Sequence, residues 1–328
     1  MSLETATLRR SATTGFFSRL VSTYGQEIVI FSAIVLLFVV VGFVAPRFIS
    51  QTNLTSIFVG NAYIAVAAIG MSMVIIAGHI DVSVGSLIGV LATISGTLAV
   101  LGYPVWIAWI VPVLVGMLMT AFIGVLVAYI RIPSIVVTLG MLSVLKGGLI
   151  SATGGAWITD LPPGYLIAQF RLFDIPSPVW FMIVLTILAA IFMRYTAFGR
   201  SIYAIGGNAE AARVAGIRVE TTTVAIFTIH GAFAGIAAVL FATQLQVIQS
   251  TVPPNLELTV ITASVVGGVS ILGGTGTVIG STLAAILFAT IGSALIFLNV
   301  SAYWLRSVQG LLILGTVLAD MARRQRIR

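Results

Sequence analysis

Long apolar runs separated by short polar breaks fill most of the chain. Ten of them fall at 28–45, 57–78, 83–101, 105–129, 135–152, 178–193, 223–247, 258–272, 276–298 and 304–319. A helix needs about 20 apolar residues to cross a bilayer, so each run is a candidate span. The runs at 178–193, 258–272 and 304–319 are short for a full crossing and read as broken, tilted or re-entrant helices. The pattern predicts an all-α polytopic membrane protein with eight to ten transmembrane helices. The first run is too long for a signal-peptide core and no small-residue cleavage site follows it, so it reads as a retained span. The expected division is a polar N-terminal segment at 1–27, a transmembrane region at 28–319 and a basic tail at 320–328.

Composition agrees with the pattern. Apolar residues make up 59% of the 328, mean hydropathy is +1.16, and charged residues are only 8%. An ordinary soluble chain carries about 25% charged residues, so a water-facing surface cannot be built from this set. Disorder needs low hydrophobicity and high charge and is also excluded. The net charge of +7 is a membrane signature here and no sign of nucleic-acid binding, because the basic residues collect at the ends and in one loop. Arg9, Arg10 and Arg19 lie at one terminus and Arg323, Arg324, Arg326 and Arg328 at the other. Under the positive-inside rule both termini are expected in the cytoplasm, which requires an even number of spans. With ten spans, Arg131, Arg194, Arg200, Arg213 and Arg218 also fall inside, and Arg47, Arg171 and Arg306 outside.

Two connections are too long to be simple turns: an external one at about 153–177, rich in Gly and Pro, and a cytoplasmic one at about 194–222. The second holds GNAEAARVAGI, 207–217. After Gly207, Asn208 suits an N-cap, Glu210 the first turn, Ala209, Ala211, Ala212 and Ala215 the helix body, and Gly216 the left-handed C′ position. The sequence predicts a helix over 209–215. So short a helix is unstable alone in water. Ala211, Val214 and Ala215 share one face, with Glu210 and Arg213 directed elsewhere. That face suits a groove on another protein or the chain's own helix ends. A weak internal echo also occurs: GSLIG at 85–89 matches GTVIG at 276–280, each opening an apolar helix after a polar break.

The segment TAFGRSIYAIGGNAEAARVAGI (196–217) resembles the cytoplasmic loop of permease subunits from bacterial ATP-binding-cassette importers for monosaccharides. This is the ribose, arabinose, xylose and rhamnose group, which includes the autoinducer-2 importer. GHIDVSVGS (78–86) is similar to the family's Asp-Leu-Ser-Val-Gly motif, with Val82 in the Leu position. RIPSIVVTLGML (131–142), GGAWITDLP (154–162) and VVGGVSILGGTGTVIGS (265–281) follow in the family order. The resemblance implies that 208–216 is a coupling helix seated in a cleft of a cytoplasmic ATPase subunit. It implies two copies or two related permeases forming one pathway in the bacterial inner membrane. It also implies a periplasmic or lipid-anchored binding protein that delivers the substrate. ATP and magnesium would sit on the partner ATPase, because this chain has no GxxxxGK[ST] phosphate loop and is expected to be no enzyme. Membrane lipid is the remaining expected partner, and nucleic acid is not one.

Polar residues within apolar sequence are the other candidates. An ionised Asp at the centre of a membrane helix costs at least about 2.5–3.5 kcal/mol. Asp81 therefore either caps the helix that follows, accepting from the amides of Ser83 and Val84, or lines the substrate path at a broken helix; the two roles are compatible. Asn61, Ser72, Ser83, Thr138, Ser143, Gln244, Gln246 and Gln249 are further path candidates. Interhelical hydrogen bonding explains each of them equally well. His79 has no evident partner, His230 is expected to bond a neighbouring helix, and Lys146 to snorkel outward.

One rival reading is a secondary transporter driven by an ion gradient, which needs intramembrane carboxylates for coupling, and Asp81 stands alone in that role. The other is an intramembrane enzyme, for which there is no cysteine and no visible nucleophile–base pair. A cysteine placed at 208 is expected to react only from the cytoplasmic side. Labelling of intact cells by an impermeant reagent would overturn the orientation.

Overall fold

The computed structural model describes residues 25–166, 170–244, 247–250, 253, 255–301 and 303–325. Arg9, Arg10, Arg19, Gln246, Arg326 and Arg328 lie outside the described residues. Each of the ten apolar runs forms a helix, and two further helices fill the long loop at 194–222. In chain order they are α1 (Gly25–Val44), α2 (Gln51–Ile76), α3 (Val84–Val100), α4 (Val105–Ala128), α5 (Ser134–Thr153) and α6 (Ser177–Tyr195). Then follow α7 (Ala197–Gly207), α8 (Ala209–Val214), α9 (Val219–Ala242), α10 (Leu256–Val266), α11 (Val278–Phe297) and α12 (Trp304–Gln325). Among the described residues, seven helices are long and apolar enough to cross a membrane, while α3, α10 and the apolar part of α12 are shorter.

The expected short run at 178–193 is instead a full-length helix, α6, of 19 residues. Pro178 occupies the first turn, where its missing N–H costs nothing, and Arg194 and Tyr195 continue the helix beyond the apolar stretch. In its place α3 joins the short group, with 17 residues. α10 stops well before the end of its apolar run, because Gly267 caps it and Gly268 turns the chain at φ +97°. The helices also overrun the expected segment borders: α1 opens at Gly25 and α12 continues to Gln325.

α2 is the axis of the bundle. Nearly every residue from Ala62 to Ile76 is buried, on all faces, as suits a helix apolar all round. It packs against α9, α11, α10 and α6. The most extensive pairing is α4 with α9, and it depends on missing side chains. A Cβ on Gly231 would run into Thr120 Oγ1 and the carbonyl of Gly116, and one on Gly235 into the backbone of Val113. Gly124 meets α9 in the same way, 3.0 Å from Val224 Cα. Lipid tails are as apolar as leucine, so membrane helices associate through such close backbone packing.

At the end opposite α8, β1 (Trp157–Ile158) pairs antiparallel with β4 (Ile248–Gln249). β2 (Arg171–Leu172) pairs with β3 (Ile175–Pro176). Tyr165 plugs this cap, donating to Ser95 Oγ (2.8 Å), which donates to the carbonyl of Ala108 (2.6 Å). Burial pushes the Tyr165 phenol up to about 12, so it stays a neutral donor. Both echoed pentapeptides stand at helix heads, GSLIG in α3 and GTVIG at the start of α11.

Gly231→Val is expected to force α4 from α9 at a cost of about 1–3 kcal/mol, typical of overpacking. Reduced amounts of folded protein in the membrane fraction, and a lower melting temperature in detergent, would register it. Unchanged values would contradict the close packing.

Candidate functional site

α8 has the start and stop written in its sequence. Asn208 Oδ1 accepts from the amide of Ala211 at 2.9 Å. At the other end the amides of Gly216 and Ile217 return to the carbonyls of Arg213 and Ala212, with Gly216 at φ +86°. Only Ala212 is buried. Ala211, Val214 and Ala215, the face expected to dock, are all exposed, Val214 to 84%. Arg213 bonds Glu210 at 2.8 Å and Glu220 at 2.5 Å. Glu220, then Glu210, raise the guanidinium above its ordinary pKa, and the triad orients α8 on the head of α9.

α7, absent from the sequence reading, is what carries α8. Thr196 caps it by accepting from Gly199 N at 2.9 Å, and Ile202 and Ile205 bury its apolar face. Its last turn is pressed onto two breaks in the bundle, 77–83 between α2 and α3 and 267–277 between α10 and α11. A Cβ on Gly206 would collide with the carbonyl oxygen of Ile76. That carbonyl accepts from Gly274 N at 2.8 Å. Gly273 and Gly274 pack against Gly78, Gly206 and Gly207, and Tyr203 donates to the carbonyl of Gly276 at 2.9 Å. A junction of bare backbone thus joins the helix before α8 to both breaks.

Side chains satisfy the main chain of the breaks. Ser134 Oγ accepts from Ile80 N (3.2 Å) and Thr138 Oγ1 from Val82 N (3.1 Å). Asp81 Oδ1 accepts from both Ser83 N (2.7 Å) and Ser83 Oγ (2.5 Å). Asp81 does not cap α3 as expected: Ser83 is the N-cap, with no side-chain cap bond, and Asp81 leaves the Val84 amide alone and caps only the turn before the helix. The other break is clamped by Thr277 donating to Glu27 of α1 and Ser270 donating to Asp320 of α12.

Asp81 has a second neighbour from a distant part of the chain. Its Oδ2 stands 3.3 Å from His230 Nε2 on α9, and both side chains are fully buried. The contact lacks the alignment of a hydrogen bond, and neither atom has a hydrogen-bond partner among the described residues. His79 is half-buried with its ring 5.9 Å from that of Phe227, also on α9. The break thus meets α9 at one polar and one aromatic contact.

The other candidates do not converge on this point. Asn61 donates to the carbonyl of Ile57 in its own helix. Gln244 donates to the carbonyls of Val59 and Gly60, tying the end of α9 to α2. Ser72 donates to Ser281 at 2.6 Å and lies 3.4 Å from Ser264, a buried knot of α2, α10 and α11. Ser143 bonds its own helix and Lys146 is exposed on α5. Ser134 was not singled out by sequence; a polar residue directly after Pro133 was its only signal.

Thr138→Val is expected to leave the Val82 amide unpaired and to destabilise the break by about 1–3 kcal/mol. Asp81→Asn keeps an oxygen for Ser83 and is expected to retain most uptake, while Asp81→Leu loses it. Equal loss in Asp81→Asn and Asp81→Leu, measured as uptake per assembled transporter, would mean that the charge matters more than the cap.

Residues 53–317 match the family model described as branched-chain amino acid transport system / permease component. The autoinducer 2 import system permease protein LsrC of Salmonella typhi is 39% identical over 289 residues, covering 88% of this chain and 83% of that protein. The LsrC protein of an Escherichia coli strain is 37% identical over 296 residues, covering 90% of this chain and 86% of its own length. No solved structure matches the chain. The family match takes in α3 to α11, both breaks and the α7–α8 arm together, and the chain belongs to the branched-chain amino acid transport system / permease component family.

Proposed function

We propose that this chain is the membrane-spanning subunit of an ATP-driven importer for a small polyhydroxylated molecule, a monosaccharide or autoinducer 2. The observation that carries the reading is α8, a six-residue helix whose small apolar face is open to solvent. A helix of this length needs a partner to hold it. The partner proposed is a cytoplasmic ATPase subunit, on which ATP and magnesium are bound. α8 hangs from α7, and α7 rests on both breaks, so a movement of α8 reaches the midst of the bundle without crossing a flexible linker. Closure of two ATPase subunits would draw two such arms together and switch the pathway between outward-open and inward-open states.

The remaining partners follow from the same reading. A second copy of this chain, or a related permease, completes the pathway. A binding protein delivers the substrate at the cap formed by 153–177, at the end opposite α8. Both termini then lie in the cytoplasm with α8. The names of the relatives supply autoinducer 2 as the first substrate to test, with rhamnose and ribose beside it.

Val214→Asp changes only an exposed side chain, and Gly216→Val strains a left-handed residue. Both are expected to leave the permease in the membrane while ATPase co-purification and ATP-dependent uptake fall at least about tenfold, since a hydrophobic docking anchor is worth roughly 2 kcal/mol or more. Normal uptake in both variants would remove the coupling role. Uptake by the permease alone, driven by an imposed ion gradient, would establish the secondary-transport reading instead.

A further inference from the structure

The head of α10 lies deep in the bundle, and it carries a carboxylate with no partner among the described residues. Depth can be read along α3. A Cβ on Gly96 would run into Ile248 and lie 3.4 Å from Ile158, residues of the β1–β4 pair at the outer cap. A Cβ on Gly85, 11 positions earlier on the same helix, would run into Glu257 Oε2 and lie 2.9 Å from Glu257 N. Eleven residues of α-helix span about 16 Å. Glu257 therefore lies about half the thickness of a hydrocarbon core below β4, and the 11 residues of α10 complete the crossing.

Glu257 is half-buried, and no ion pair or hydrogen bond reaches its side chain among the described residues. A carboxylate left partly open at this depth cannot face lipid. Its carboxyl stands at two helix N-termini, the first turn of α10 to which it belongs and the first turn of α3 at Gly85. Asn255, directly before α10, is exposed and holds a left-handed conformation at φ +59°. Ser86, next to Gly85, is 1% exposed with a hydroxyl that has no partner among the described residues. A carboxylate accepts on two oxygens, an amide both donates and accepts, and a hydroxyl does both. That set matches neighbouring hydroxyl groups on one small molecule.

We propose that Glu257 faces the aqueous translocation path and receives substrate hydroxyls about midway across the membrane, with Asn255 beside it. The inference rests on the importer reading and adds the residue that recognises the cargo in transit. It is tested in proteoliposomes holding the permease with its ATPase and binding protein. The chain has no cysteine, so Glu257→Cys gives one thiol on this subunit, read by mass. A charged methanethiosulfonate reagent is expected to modify it. Modification only by a lipid-soluble maleimide, or by neither reagent, would overturn the proposal. Glu257→Gln is expected to lower uptake of autoinducer 2, rhamnose or ribose at least tenfold while binding-protein-stimulated ATP hydrolysis continues, and Glu257→Asp to restore it in part. Normal uptake in Glu257→Gln would overturn the proposal, as would loss of the assembled complex in both variants, which makes Glu257 structural. Failure of the importer reading is seen separately, as absence of ATP-dependent uptake by the unsubstituted protein.

Discussion

Lipid offers a main-chain amide no hydrogen bond, so a break in a membrane helix that lines no water has to find its partners inside the protein. That constraint governs the two interruptions of this bundle. Ser134 and Thr138 of α5 take up the amides of Ile80 and Val82, Asp81 takes that of Ser83, and the carbonyl of Ile76 receives the amide of Gly274. The breaks are consequently defined structures, each fixed by groups from other helices. Because their hydrogen bonds come from α5, from each other, from Tyr203 of α7 and from α1 and α12, displacing any one of these elements disturbs the rest.

Small residues make two kinds of contact in this molecule. Along α4 and α9, glycines bring two long helices into backbone contact, with Thr120 and Val113 filling the space against them. There the surfaces interlock. Around Gly206 and Gly274 the contact is made by main chain alone, with no rotamers to reset and little side-chain packing to break. The two kinds of glycine are alike in composition and opposite in consequence.

Local features were legible in the sequence. Asn208, the alanines and Gly216 write the limits of α8 because capping is decided within a few residues, and the ten apolar runs locate their helices for the same reason. α7 was missed because its polar positions, among them Arg200 and Ser201, sit in a stretch that hydropathy reads as loop. Contacts between distant residues left no local sign: Asp81 with His230 and Gly206 with Ile76 arise only once α2, α7 and α9 are packed. Glu257 was passed over because the apolar run begins just after it, and an apolar count gives no measure of depth.

The β1–β4 pair has a mechanical consequence. Trp157 and Ile158 are bonded through their main chains to Gln249 and Ile248, so the loop after α5 and the segment after α9 are tied into one surface. Under the proposed importer, a carrier seated on this cap would bear on two connections of the bundle at once, one leaving α5 and one leaving α9.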